Sequence, residues 1–272
     1  MSAPDASARP ALTILAAFTF GLALAVHRGR IPGYVDLYRA PLARLDQLII
    51  WTIVALVCVW LLRRTSPRRA ISNFCLTRPP LRPLLFAAIS ALPMFIASAA
   101  TGAWRLSAPD ETIASLLAIL WLGAIVAPFA EEIFFRGFAF GELVRTARWG
   151  FWPAAIVTGL IFGAVHFFGA IGRESLAGAL GVVAITAVGG AWYAWLYLRW
   201  NFNLWVPIFL HALMNAPWIL FVVDDTALGT WTANAGRAGT IAIATLLTLF
   251  GARSRWLRPL APPNAAPTVP AS

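Results

Sequence analysis

Leu116-Leu-Ala-Ile-Leu-Trp-Leu-Gly-Ala-Ile-Val-Ala-Pro-Phe-Ala-Glu-Glu-Ile-Phe-Phe135 is long and apolar enough to cross a bilayer, yet two adjacent carboxylates, Glu131 and Glu132, stand inside it. One acidic residue at the centre of a membrane helix costs roughly 2.5–3.5 kcal/mol even on lenient insertion scales, so a pair requires partners, water or a function. Partners are at hand in the same chain. Arg136 follows Glu132 by four residues, on one helix face. Besides His27, the histidines are His166 and His211, both inside later apolar segments. The stretch predicts a membrane helix bundle built around a buried polar site.

Composition agrees. The chain is 60% hydrophobic and 12% charged, with a mean hydropathy of +0.76. Apolar runs recur at about 11–26, 48–62, 84–103, 116–140, 151–168, 176–198, 204–223 and 240–251. These predict an all-α polytopic bundle of about eight spans, although the first, second and last fall short of the roughly 20 residues of a straight span. Residues 1–258 read as one transmembrane domain with its motif-bearing core at about 113–223; the Pro-rich tail, 259–272, reads as disordered.

The net charge of +10 is carried by arginine alone, there being no lysine. These arginines cluster in short loops and at segment ends, the pattern of membrane orientation rather than of a phosphate-binding face, so the expected partner is a lipid bilayer and not nucleic acid. Arg63, Arg64, Arg68, Arg69, Arg78 and Arg82 mark the loop after the second segment as cytoplasmic. Alternate counting then puts Arg145, Arg148, Arg199 and the C-terminus inside, and Asp110, Glu111, Asp224 and Asp225 outside. Residues 27–47 carry Arg28, Arg30, Arg39 and Arg44 against this count, so the first segment is a span, a re-entrant turn or a signal sequence ending near Ala23-Leu24-Ala25. Cys58 and Cys75 support neither a disulfide framework nor a cysteine metal site.

Counting at 1.5 Å per residue from the expected boundaries puts Glu131 about 16 Å deep, His166 about 22 Å, His211 about 12 Å and Asn215 about 18 Å. All four meet near mid-membrane. Glu131 and Glu132 point about 100° apart on a helix, so they are assigned different jobs, Glu131 facing a cavity with the histidines and Glu132 pairing with Arg136. Pro128 and Pro207 are expected to bend their helices around the pocket. Gly137/Gly141 and Gly159/Gly163 are expected to permit close helix approach. Glu142, Glu174 and Arg173 read as solvated segment ends, and Trp104, Trp149, Trp200 and Trp205 as interfacial anchors. Phe134, Phe135, Phe138 and Phe140 read as lipid-facing or packing surface.

Three motifs follow in order: Glu131-Glu132-Ile-Phe-Phe-Arg136, Phe162-Gly-Ala-Val-His166 and His211-Ala-Leu-Met-Asn215. In the forms E-E-x-x-x-R, F-x-x-x-H and H-x-x-x-N, on successive apolar segments, they resemble the CAAX protease and bacteriocin-processing (Abi, CPBP) family of intramembrane proteases. The resemblance covers about residues 113–223. It implies that Glu131 with His166 activates water, that His211 and Asn215 stabilise the oxyanion, and that Glu132 and Arg136, with Phe162, support them. It implies a membrane-associated protein or peptide as substrate and, for a compact chain of this kind, the inner membrane of a prokaryotic cell.

No cofactor is favoured. Glu131, His166 and His211 are a conceivable zinc set, but H-E-x-x-H is absent and asparagine is a poor zinc ligand. A proton-coupled transporter also uses buried Glu, His and Arg, and a non-catalytic membrane scaffold is the third reading. The transporter leaves the common depth of histidine and asparagine unexplained, and the repeats expected of many transporters are not visible.

Overall fold

The computed structural model describes residues 8–27, 45–64, 66–74, 76, 80–108, 111–171, 174–222 and 228–251. Readings that fell on residues 28–44, on Cys75, Asp110, Arg173, Asp224 and Asp225, and on the tail lie outside these. Among the described residues there are nine helices: α1 (Ala8–His27), α2 (Leu45–Arg63), α3 (Pro67–Asn73), α4 (Leu81–Thr101), α5 (Ile113–Arg145), α6 (Phe151–Ala170), α7 (Leu176–Arg199), α8 (Trp205–Leu220) and α9 (Trp231–Gly251). The fold is a helical membrane bundle. Helices α4, α5 and α7 are long and apolar enough to cross a membrane, and α1, α2, α6 and α8 carry shorter apolar stretches.

Local chemistry sets several of the ends. Thr112 and Ser115 form a reciprocal capping box at the start of α5, Thr112 Oγ1 accepting from the Ser115 N–H at 3.1 Å while Ser115 Oγ accepts from the Thr112 N–H at 2.8 Å. Ser175 caps α7 through the Gly178 N–H at 3.1 Å, and Ser66 caps α3, which begins on Pro67. The turn between α7 and α8 places Asn201 and Phe202 at positive φ. Asparagine tolerates this backbone region well; the bulkier Phe202 is held there by an edge contact with Tyr197 at 5.3 Å and by the Arg145 guanidinium 4.9 Å over its ring.

The helix quoted at the outset is the pivot of the bundle. At 33 residues, α5 is about 50 Å long, more than the roughly 30 Å hydrocarbon thickness. Helices α1 and α2 pack on one side of it, α6, α7 and α8 on the other, and α4 lies against α8 and α9. One hydrophobic core unites α1, α2, α5 and α6 around Phe18, Trp51, Phe134, Phe135, Phe138 and Phe162. A second joins α4, α7, α8 and α9 around Phe86, Tyr193, Trp200 and Leu210. Phe134, Phe135, Phe138 and Phe140 are therefore packing surface, each at most 1% exposed. Helices α6 and α7 touch backbone to backbone where a Cβ on Gly159 would stand 2.8 Å from the Ala187 carbonyl oxygen and one on Gly163 would overlap that of Val183. The expected close approach is real at this pair.

Several sequence expectations change. The eighth segment begins at Trp231, nine residues before Thr240, its polar first turns satisfied locally: the Asn234 amide donates to the Leu228, Gly229 and Thr230 carbonyls, its Oδ1 accepts from Arg237 at 2.9 Å, and the Arg237 guanidinium lies 5.2 Å over the Trp218 ring. The seventh ends at Leu220, and Phe221–Val222 (β2) pairs antiparallel with Ala103–Trp104 (β1), tying the ends of α8 and α4. Pro207 lies in the first turn of α8, where a missing N–H costs no intrahelical bond, so it does not bend the helix. Trp200 is buried, its indole N–H donating to Thr248 Oγ1 at 3.1 Å, and joins α7 to α9 instead of anchoring at the interface.

Glu142 differs most. Far from a solvated helix end, its side chain is 0% exposed. It accepts from Arg63 at 3.0 and 3.1 Å, from Arg145 at 3.2 Å and from the Thr146 hydroxyl at 2.5 Å. Arg145 also donates to the carbonyls of Asn73 and Gly141, so one buried carboxylate organises the junction of α2, α3 and α5. Sequence spacing shows only the Glu142/Arg145 pair; Arg63 is 79 residues away.

Candidate active site

Helix α5 is not a uniform α-helix. Two π-helical stretches, Trp121–Val126 and Glu132–Phe140, flank Ala127–Glu131. Wider turns of this kind recur at functional sites because they leave backbone groups without their usual partners. The first does so here through Pro128. The Ala127 N–H, which an α-helix would give to Gly123, goes to Leu122, and the next residue that could serve the Gly123 carbonyl in the π register is Pro128, which has no N–H. Asn215 fills the gap: its Nδ2 donates to the Gly123 oxygen at 3.0 Å. The third motif is thereby pinned to the helix of the first, through one of the two amide hydrogens of Asn215.

Glu132 is fully buried, and its Oε1 accepts two bonds, from Arg136 Nη1 at 2.9 Å and from His211 Nδ1 at 2.8 Å. The ion pair expected from the four-residue spacing is present. The contact with His211, across 79 residues, gives Glu132 a second job that spacing does not show. A carboxylate at that distance fixes the hydrogen on Nδ1 and turns Nε2 outward. Nε2 then lies 3.8 Å from Glu131 Oε2, so the two glutamates face opposite nitrogens of one imidazole.

His166 is partnered by Phe162, one turn before it on α6. Its Nδ1 donates to the Phe162 carbonyl at 2.7 Å, which can only accept, so the neutral ring carries its lone pair on Nε2, as a base requires. Phe162 joins the parts: its ring meets His166 at 4.6 Å, His211 at 6.5 Å and the Arg136 guanidinium at 4.3 Å. Tyr193, on α7, covers the opposite side, stacked on His211 at 5.4 Å and 5.3 Å from the Arg136 guanidinium carbon. Gly190, one turn before Tyr193, makes room for Arg136, since a Cβ there would stand 3.2 Å from Nη2.

The structure thus brings Glu131, Glu132, Arg136, Phe162 and His211 together, with His166 on the Phe162 ring and Asn215 one turn beyond His211. Sequence reasoning missed Tyr193 and Gly190. Charge was its filter, and a tyrosine in an apolar helix passes as an ordinary packing aromatic. Glu131 and His211 are partly open, at 18% and 13% side-chain exposure, whereas Glu132 and Arg136 are sealed. Among the described residues no three His, Cys, Asp or Glu side chains converge as a metal set.

Residues 112–217, which contain all three motifs, match the family described as type II CAAX prenyl endopeptidase Rce1-like. Over this segment, about two fifths of its length, the chain is similar to that family. It is also 33% identical over 105 residues to a Bacillus subtilis (strain 168) protein named "Putative membrane peptidase YdiL"; the match covers 39% of this chain and 37% of that relative's length. No solved structure matches it. The family segment runs from the capping box of α5 into α8 and contains every site residue described above.

Proposed function

We propose that this chain is an intramembrane endopeptidase that hydrolyses a peptide bond in a membrane-associated protein or peptide, without a metal. The observation that carries the reading is the arrangement around His211, with Nδ1 held by the sealed Glu132–Arg136 pair and Nε2 turned to the more open Glu131. An ion pair that only held helices together would not need to orient an imidazole toward a second carboxylate.

In this reading Glu131 and His166 Nε2 take the proton from a water molecule as its oxygen attacks the scissile carbonyl. The tetrahedral oxyanion accepts hydrogen bonds from protonated His211 at Nε2 and from the second amide hydrogen of Asn215. The imidazolium and Arg136 together balance the two glutamates: two positive and two negative groups. The proton taken from water then passes to the leaving amine, which restores Glu131. The chain is placed in a prokaryotic inner membrane with about eight spans, the arginine-rich end of α2 and α3 and the C-terminus on the cytoplasmic side.

The test is a comparison of membrane proteomes from cells expressing the wild-type chain or Glu131→Ala, followed by cleavage of the accumulated proteins with purified enzyme. Glu131→Ala is expected to insert and fold normally and to cleave nothing. Full cleavage by the purified variant sinks the assignment. Loss of ion flux without any loss of cleavage favours a proton-coupled transporter instead.

A further inference from the structure

We infer that Tyr193, which lies outside all three motifs, is a positioning residue of the site, its ring fixing the plane and orientation of His211. The inference rests on the protease reading for its consequence in turnover; the geometry does not depend on that reading.

His211 must present a particular nitrogen to each glutamate. A half-turn about its Cβ–Cγ bond exchanges Nδ1 with Cδ2 and Nε2 with Cε1, which would put carbon against Glu132 and against Glu131. The Glu132 bond alone opposes this with one hydrogen bond, at 2.8 Å. Two aromatic walls supply the rest. Tyr193 lies nearly parallel to the imidazole, 5.4 Å between centroids and 26° between planes, and Phe162 meets it edge-on at 6.5 Å and 86°. Rotation out of plane drives the imidazole edge into the Tyr193 face, so the stack is a barrier as well as a contact.

Tyr193 is itself held firmly. It is 7% exposed, its ring lies within 5.3 Å of the Arg136 guanidinium carbon, and its hydroxyl meets Met214 Sδ at 3.2 Å, on the helix that carries His211. A thioether is a weak acceptor, so the hydroxyl adds little to this grip and the flat ring is what matters. Phenylalanine should therefore serve where an aliphatic side chain does not. Because Arg136 lies against both Phe162 and Tyr193, the same ring also keeps the Glu132–Arg136 pair in register with His211.

The experiment uses the full-length chain in detergent micelles, labelled with ¹⁵N-histidine. Only three histidines contribute, and His27→Gln and His166→Gln spectra assign them. The wild type should show His211 as one species protonated at Nδ1. Tyr193→Leu, and Tyr193→Met as a second aliphatic variant should the first fail to fold, should show the His211 ring signals split or broadened between two ring orientations. Tyr193→Phe should restore the single species. Cleavage of proteins that accumulate in Glu131→Ala cells should fall about three- to tenfold in the aliphatic variants, the size of one aromatic pair, and recover in Tyr193→Phe. Unchanged His211 signals in a folded aliphatic variant overturn the inference, as does a Tyr193→Phe spectrum as perturbed as that of Tyr193→Leu. If Glu131→Ala cells accumulate nothing, the protease reading fails while the spectra still decide the role of Tyr193.

Discussion

Replacing Glu132 by glutamine separates its structural work from its chemical work. The carboxylate is 0% exposed, and its Oε1 serves both Arg136 and His211. Glutamine keeps the shape and one carbonyl oxygen but removes the charge, leaving the 2%-exposed Arg136 uncompensated. Breaking a buried pair in this way costs about 3–5 kcal/mol. At roughly 2–4 °C per kcal/mol for a chain of this size, the unfolding midpoint in detergent should fall by roughly 6–20 °C. Adding Arg136→Leu removes the stranded charge, and the double variant should regain most of that loss. Turnover should not return with it. His211 has lost the anionic partner of Nδ1, a change that in the analogous serine-protease arrangement lowers turnover by about 10⁴. The assay is thermal unfolding followed by tryptophan fluorescence, beside cleavage of an accumulated substrate by the same preparations. A double variant that recovers stability and activity together would refute the reasoning, because Glu132 would then be only the partner of Arg136. A single variant with an unchanged midpoint would refute the buried-pair argument itself.

Asn215→Ala should lower turnover by about 10²–10³ if its amide completes the oxyanion site. It should also cost about 1–3 kcal/mol, seen as a lower unfolding midpoint, because the Gly123 carbonyl loses its donor. Prolonged chelation should leave cleavage intact and elemental analysis should find no stoichiometric zinc; reversible loss restored by Zn²⁺ would favour a site on Glu131, His166 and His211. Glu142→Gln should destabilise the chain toward the lower end of the roughly 3–5 kcal/mol range, since Arg63 and Arg145 keep 26% and 18% exposure, and protease nicking near α3 should show the loosened junction. Gly163→Leu should prevent α6 from docking on α7, because its side chain meets the Val183 backbone, and the purified protein should lose its cooperative unfolding transition.

What the sequence by itself determined is everything that depends on composition and on spacing along one helix. The apolar runs fixed a helical membrane bundle because a chain in hydrocarbon must satisfy its backbone within each segment. The four-residue intervals of Glu132/Arg136 and His211/Asn215 put those pairs on shared faces, and the order of the three motifs pointed to the family. Local spacing is also why the close approach at Gly159 and Gly163 was legible.

Only the tertiary structure decided what lies across helices. The bond from Glu132 to His211 spans 79 residues, as does that from Glu142 to Arg63, and that from Asn215 to Gly123 spans 92. No periodicity encodes which segment will be the neighbour. Tyr193 stayed hidden because an aromatic ring has no charge to betray it in an apolar helix, and its role exists only where α7 lays it against His211. Glu142 was misread because a carboxylate near a helix end is normally solvated, and only the packing of α2 brings it the second guanidinium, that of Arg63, and buries it. Burial and pairing of charge are properties of neighbours in space, so the sequence named the polar residues and the fold assigned their work.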